Sequence, residues 1–233
     1  MSMLEARGVS KVYETRGVET VALRDVDLSI ESGEFTALAG PSGSGKTTLL
    51  NLFGGLDAPS EGVVVLDGDD LGSLTSSQLA EERLHKLGFV FQAYNLIPVF
   101  SARENVEFVM ELQGVSPSER RRRAMAILEE VGLGDLADKR PMEMSGGQQQ
   151  RVAVARAIVS QPRVVLADEP TANLDSKTAG TLLDLMEELN REHGVTFVFS
   201  THDPMVIEKA RRTVRLRDGA VAADERKAGE TAS

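Results

Sequence analysis

Residues 40–47 read Gly-Pro-Ser-Gly-Ser-Gly-Lys-Thr and fill every position of the pattern G-x-x-x-x-G-K-[ST]. A loop of this kind is suited to holding phosphate. Gly40, Gly43 and Gly45 let the backbone turn until successive N–H groups aim into one anion-sized hollow. Pro41, Ser42 and Ser44 fill the remaining loop positions. The residues that follow, Thr47-Thr48-Leu49-Leu50-Asn51-Leu52, predict the start of a helix whose positive dipole end faces the same hollow. Lys46 can reach the outer phosphates, and the Thr47 hydroxyl can hold a magnesium ion. With Thr48, these residues form the candidate nucleotide-binding set.

Three further groups have the right residue types for chemistry on a phosphate. Leu166-Ala167-Asp168-Glu169 ends an apolar run with two carboxylates. Successive strand residues point in opposite directions, so the two need not do the same job. Asp168 suits a magnesium ion, directly or through water. Glu169 suits the orientation or deprotonation of an attacking water. The competing reading is an acidic pair at a solvated strand end. His202, in Ser200-Thr201-His202-Asp203, is one of three histidines. From a strand end its imidazole can donate to a terminal phosphate, although a single histidine there is commonly incidental. Ser145-Gly146-Gly147-Gln148 opens a helix and leaves N–H groups exposed at a positive helix end. It reads either as a second anion site, far from the first in sequence, or as plain N-capping beside flexible glycines.

These groups need strands to end beside them. Phe35–Ala39 predicts a buried strand leading into the phosphate loop. Leu4–Tyr13 and Val21–Ile30 predict antiparallel strands, and Val63–Leu66 a further strand with a turn at Asp67-Gly68. Phe89-Val90-Phe91 predicts a short buried strand with Gln92 directly after it. From Ala102 to about Ser160 the pattern becomes helical. There Ser116-Pro117-Ser118-Glu119 predicts a capping box with proline at the first helical position. Ala124, Ile127, Leu128 and Val131 share a face of that helix, and its Arg120–Arg123 run reads as a solvated face, with a docking patch as the alternative. Val164–Ala167 and Val195–Phe199 predict buried strands around a helix from Ser176 to His193. This alternation implies an α/β fold with a mostly parallel sheet and an inserted helical lobe. The tail from Asp224 to Ser233 is polar and is expected to fray.

Bulk properties narrow the classes. The 233 residues are 41% hydrophobic and 27% charged, enough for a sizeable core. There is no cysteine, which excludes disulfides, thiolate zinc sites and thiol catalysis. The formal charge of −10 argues against broad binding to nucleic acid or anionic lipid. The first seven residues lack the apolar core of a signal peptide. No apolar run approaches the roughly 20 residues that span a bilayer. A membrane role is therefore expected to come through a partner.

Taken in this order, the motifs resemble the ATP-binding cassette family of ATPases over about residues 2–222. Ser145-Gly146-Gly147-Gln148 is similar to the family's signature motif. Gln92 is similar to its lid-loop glutamine, which implies a place at the magnesium ion and in catalysis. Tyr13 is similar to the aromatic that stacks on adenine. Ala172-Asn173-Leu174-Asp175 is similar to the loop that touches the opposite subunit and places Asp175 in the nucleotide set. His202 is similar to the switch histidine. The strings Asn51-Leu52-Phe53-Gly54-Gly55-Leu56-Asp57, Phe91–Pro98 and Asp168–Asp175 resemble the subgroup serving lipoprotein release and macrolide export. Met144 before the signature serine and Ala172 in the later loop are mild departures that remove no polar group.

The resemblance implies a P-loop NTPase core, an antiparallel β subdomain and a helical lobe at about residues 94–160. It implies ATP and Mg²⁺ as ligands, with Glu169, His202, Lys46 and Gln92 in catalytic roles and Thr47, Gln92 and Asp168 at the metal. Two copies would close head to tail on ATP, putting the Ser145 hydroxyl and the Gly147 N–H on the partner's nucleotide. An integral membrane permease would use the stroke, and nucleic acid is not an expected partner. The chain is then expected in the cytoplasm, peripheral on the inner face of the plasma (inner) membrane. Two other classes stand beside this one. Soluble cassettes of translation or DNA repair usually carry two cassettes or a long coiled-coil insertion, neither of which is present. A regulatory cassette controlling a cell-envelope enzyme through a membrane protein would have the same motor sequence.

Overall fold

The computed structural model describes residues 2–15 and 17–227. Its strands in chain order are β1 (Ser2–Thr15), β2 (Val18–Glu31), β3 (Phe35–Ala39), β4 (Glu61–Leu66), β5 (Asp69–Asp70), β6 (Leu87–Val90), β7 (Val164–Asp168), β8 (Thr196–Thr201), β9 (Arg212–Arg217) and β10 (Ala220–Arg226). The α-helices are α1 (Lys46–Phe53), α2 (Ser76–Lys86), α3 (Ala102–Leu112), α4 (Pro117–Glu130), α5 (Gly146–Val159), α6 (Ser176–His193) and α7 (Pro204–Lys209). They fall into two compact units, Met1–Ala80 with Thr196–Ser233, and Glu81–Val195. Among the described residues no helix is long and apolar enough to cross a membrane.

The first unit holds two sets of strands. One is antiparallel, in the order β2-β1-β4-β5. Its inward residues include Leu4, Ala6, Leu28, Ile30 and Val64, the alternation expected of a sheet with one covered face. In the other, β9, β3 and β8 run parallel and β10 pairs antiparallel on β9. All five residues of β3 are buried, as befits a parallel strand covered on both faces. Phe35 packs on Phe197 and Phe199 of β8, with ring centroids 5.6 and 4.6 Å apart. Arg212 at the start of β9 is buried but well satisfied. It donates to the Ser29 carbonyl at 2.7 Å, to Glu34 at 2.9 Å and to Asp224 at 2.7 Å. Burial alone would lower its pKa, yet the Asp224 and Glu34 carboxylates outweigh this and raise it. These bonds tie β9 and β10 to β2 and so fix the strand beside β3.

In the second unit β6 and β7 run parallel, with Leu87 opposite Val164 and Val90 opposite Ala167. Helices α3, α4 and α5 pack through Val106, Met110, Ala124, Ile127, Leu128, Val152, Ala155 and Ile158, all buried. Ser101 caps α3 in a reciprocal box with Glu104. Leu182, Leu183, Met186 and Leu189 form the buried stripe of α6, which Gly194 ends at φ 65°.

Four local expectations change in the structure. Ser116 is the N-cap of α4 with Pro117 after it, but it forms no capping box. The Glu119 carboxylate is taken by Arg122 instead, at 2.6 and 2.8 Å. The Arg120–Arg123 run is not uniformly solvated, because Arg123 is half-buried and donates to the Val159 carbonyl at the end of α5. The strand around Phe89 runs Leu87–Val90 rather than to Phe91. Phe89 and Phe91 are only half-buried, and their rings stack on each other with centroids 5.8 Å apart. Finally, β10 extends to Arg226, so the polar stretch begins inside a strand, anchored by Asp224 on Arg212. The rest of that expected tail, residues 228–233, lies outside the described residues.

Candidate nucleotide site

In the first unit β3 ends at Ala39 and the phosphate loop begins at Gly40. Gly45 is the N-cap of α1 in the left-handed region (φ 100°), and it carries no side-chain cap that would cover the helix end. A Cβ at Gly45 would come within 2.7 Å of the Ala22 carbonyl and the Leu23 side chain, so no larger residue fits there. The turn between β9 and β10 buttresses the loop. The Gly219 N–H donates to the Ser44 carbonyl at 3.2 Å, and the Gly219 carbonyl accepts from Arg24 N–H at 2.8 Å. Lys46 is buried, and its ammonium donates to the Gly40 and Pro41 carbonyls at 2.8 and 3.0 Å. That places the cation across the mouth of the loop.

The loop passes a test of fit for a phosphate group. The Ser44 hydroxyl is buried without a hydrogen-bond partner among the described residues. A Cβ on Gly40 would sit 2.6 Å from that same oxygen. The amides of the first turn of α1 have no intrahelical acceptor by geometry. Donors and a cation therefore converge at one loop, and the chemistry they complement is anionic.

Tyr13 lies on β1, 37% exposed. Its hydroxyl donates to Asp57 at 2.8 Å, and the Lys11 ammonium lies 4.8 Å from its ring centroid. Lys11 itself pairs with Asp57 at 2.7 Å. Burial raises the hydroxyl's pKa first, Asp57 adds to this, and the nearby Thr48 hydroxyl opposes it. Tyr13 and Thr48 thus stand next to each other, one on the hairpin and one on α1. His202 follows β8, whose last residue Thr201 is in register with Ala39. His202 and Gly40 therefore leave adjacent parallel strands at the same level. Asp203 caps α7, accepting from Met205 N–H at 2.9 Å, and so fixes the chain just after His202.

The remaining residues lie in the second unit. Val90 is opposite Ala167, so Gln92 and the Asp168-Glu169 pair leave neighbouring strand ends together. Glu169 is left-handed at φ 46°. Asn173 Nδ2 donates to the Gln92 carbonyl at 2.9 Å, joining the two turns. Ser145 is the exposed N-cap of α5. Its Oγ accepts from Gln148 N–H at 3.3 Å, while Gln148 Oε1 accepts from Ser145 N–H at 2.8 Å. Accepting that bond leaves the serine proton to donate elsewhere.

The two signature glycines also have a packing role. A Cβ at Gly146 would lie 2.8 Å from the Tyr94 hydroxyl, and one at Gly147 would lie 2.4 Å from the Thr178 methyl. Asp175 is the N-cap of α6. It accepts from Lys177 N–H, Thr178 N–H and the Thr178 hydroxyl at 3.1, 3.0 and 2.6 Å. The Thr178 bonds hold its carboxyl below the usual range.

Comparison with known proteins gives the site its context. Residues 23–172 match the ABC transporter domain. The chain belongs to the ABC transporter family. It is 45% identical over 232 residues to the macrolide export ATP-binding/permease protein MacB of Syntrophobacter fumaroxidans, covering 99% of this cassette but 32% of that protein. It is 48% identical to an ABC transporter ATP-binding protein of Bacillus subtilis, YvrO, covering 96% of this cassette and 97% of that chain. Among solved structures, the dimeric post-hydrolysis state of the ATP-binding cassette MJ0796, bound to ADP and Pi, superposes with a TM-score of 0.90. It shares 43% identity, and the match covers 98% of this cassette and all of that chain. This cassette is accordingly an ATPase subunit of a transporter, with the α/β P-loop fold expected from its motifs.

Sequence reasoning missed the residues that hold the motifs in place. Asp57 and Lys11 fix Tyr13, Gly219 backs the loop, and Gln150, Arg156 and Asn173 fasten the turns of the second unit. Only Gly219 announces itself locally, through the Asp218-Gly219 hairpin turn.

Because the Tyr13 ring is held at its hydroxyl end, it is suited to stacking without reading a base edge. Tyr13→Ala is expected to weaken ATP and GTP alike, by about 1–3 kcal/mol, or roughly 5- to 150-fold. Titration with fluorescent analogues of both nucleotides checks this. A loss confined to ATP would remove the stacking role.

Proposed function

We propose that this cassette is the ATP-driven motor of a membrane export or extraction complex, working as a head-to-tail homodimer with two composite ATP sites. Gly40 to Thr48 take the phosphates, with Lys46 on the outer ones, and Tyr13 takes the base. The oxygens of Thr47, Gln92 and Asp168 are the hard donors that suit magnesium. Bound there, the ion would neutralise charge on the phosphates. Glu169 orients and deprotonates the attacking water, and His202 donates to the terminal phosphate. The helical part at about residues 94–160 carries the signature. Ser145, Gly146, Gly147 and Gln148 present a helix N-terminus to the partner's nucleotide, with Asp175 in the adjoining loop. The working place is the inner face of the cytoplasmic membrane, held by an integral permease. Val99, 69% exposed in the lid segment, supports docking through the Gln92–Phe100 stretch.

One observation carries the composite site. Among the described residues, α1 and α5 both begin at candidate phosphate ligands, Lys46 and Ser145, and Lys46 already serves the first of these helix N-termini. The likeness to a dimeric cassette and the 45% identity to a macrolide export protein support the dimer and the export role.

Complementation tests this reading. Ser145→Arg and Lys46→Ala are each expected to abolish hydrolysis, since each lesion damages both sites of a homodimer. Coexpressed under two tags and purified as mixed dimers, they place both lesions at one site and leave the other whole. Recovery of part of the wild-type rate is expected. Full activity of Ser145→Arg alone would overturn the signature's role.

A further inference from the structure

Both turns that leave β6 and β7 contain left-handed residues that are not glycine. Tyr94 and Asn95 have φ 61° and 48°, and Glu169 has φ 46°. Such backbone is costly and persists only where its surroundings hold it. Two side chains of α5 hold these turns. Gln150 is fully buried, and its Nε2 donates to the Pro170 carbonyl at 2.8 Å, directly after Glu169. Arg156 donates from Nη1 to the Asn95 carbonyl at 2.6 Å and from Nη2 to the Tyr94 carbonyl at 2.9 Å.

The chemistry of these two residues argues against simple packing. Gln150 Oε1 is buried with no hydrogen-bond partner among the described residues. An apolar residue of similar volume would leave no side-chain acceptor stranded, but it would take the donor away from the Pro170 carbonyl. What only glutamine supplies is the donor to Pro170. Burial lowers the pKa of Arg156, so a guanidinium is kept where a neutral group would cost less. Its planar fork aims one terminal nitrogen at each of two adjacent carbonyls in a fixed geometry, which the flexible stem of a lysine does not preset.

We infer that Gln150 and Arg156 are positioning residues through which α5 sets the turns carrying Glu169 and Gln92. Asn173 closes the frame by donating to the Gln92 carbonyl at 2.9 Å. The helix that Ser145 caps thereby holds both turns, and a shift of its N-terminus is passed to the water-activating carboxylate. This inference rests on the reading above, in which Glu169 acts as the base.

The test is a double-mutant cycle on the full chain, reading ATP affinity and single-turnover hydrolysis separately. Gln150→Met keeps the volume and removes the donor. It is expected to lower the hydrolysis rate about 10-fold or more while ATP affinity stays within about twofold, because misplacement by about 1 Å is enough for such a loss. In a Glu169→Gln background it is expected to cost nothing further, since its action runs through Glu169. An unchanged rate in the single variant, or the same factor lost in both backgrounds, overturns the inference. If Gln150→Met does not fold, Arg156→Lys carries the test. The cation is kept but the fixed two-nitrogen fork is lost, so the rate falls at constant affinity, and a wild-type rate overturns the inference. Failure of the underlying reading looks different: Glu169→Gln would itself hydrolyse ATP near the wild-type rate.

Discussion

Lys46→Ala loses productive ATP binding, and with it hydrolysis, while the protein stays folded. Lys46 is the first residue of α1, and its ammonium bridges the Gly40 and Pro41 carbonyls. It is the cation of a loop whose backbone donors are neutral N–H groups, and a charge-assisted bond to phosphate is about twice as strong as a neutral one. α1 does not depend on it, because Leu49, Leu52 and Phe53 anchor the helix in the core of the first unit. Thermal unfolding is therefore expected within a few degrees of wild type. Titration with a fluorescent ATP analogue at physiological magnesium is expected to show no saturation at concentrations that fill the wild-type protein. Unchanged affinity and turnover would remove the phosphate-loop assignment.

What could be read from the sequence follows from how local each signal is. Strands β3, β7 and β8 are short apolar runs, and the helix Ser176–His193 has a strong apolar stripe with Asp175 before it and Gly194 after it. Each was expected close to its observed bounds. Helix α2 was not foreseen, and the reason is physical: it buries none of its residues and so has no stripe to betray it. The capping box at Ser116 failed because Arg122, three residues beyond Glu119, competes for the same carboxylate. The phosphate loop, the carboxylate pair and the signature are contiguous strings whose chemistry is visible one residue at a time. Their supports are not. Asp57 reaches Tyr13 across 44 positions, and Arg156 reaches Tyr94 across 62. Nothing in either neighbourhood marks the partner, because the pairing exists only after the strands and helices have packed. The signature glycines show the converse: a sequence motif suited to exposing backbone to a ligand also proves necessary for close packing on Tyr94 and Thr178.

Glu169→Gln keeps nucleotide binding and slows hydrolysis about 10²-fold or more, the usual size of an acid–base contribution. That factor corresponds to about 2.7 kcal/mol of barrier. The substitution isolates the proton chemistry. Glutamine has the shape of glutamate and can still orient a water, but its amide cannot take a proton at neutral pH. The local turn should survive, because its bond runs from Ala172 N–H to the Glu169 backbone carbonyl and does not involve the side chain. The Gln150 bond to Pro170 likewise uses backbone on the acceptor side. Binding then proceeds while the step that reopens the pair is blocked. With ATP and magnesium the variant is expected to elute from size-exclusion chromatography as a dimer. With ADP it should elute at the position seen without nucleotide. The pairing of the two readouts separates a lost base from a lost site: a binding defect would lose both turnover and dimer, whereas a lost base slows turnover and stabilises the dimer. Turnover within about threefold of wild type, well short of the acid–base scale, would remove Glu169 from proton transfer. The water would then have to be activated by His202, or by the phosphate itself.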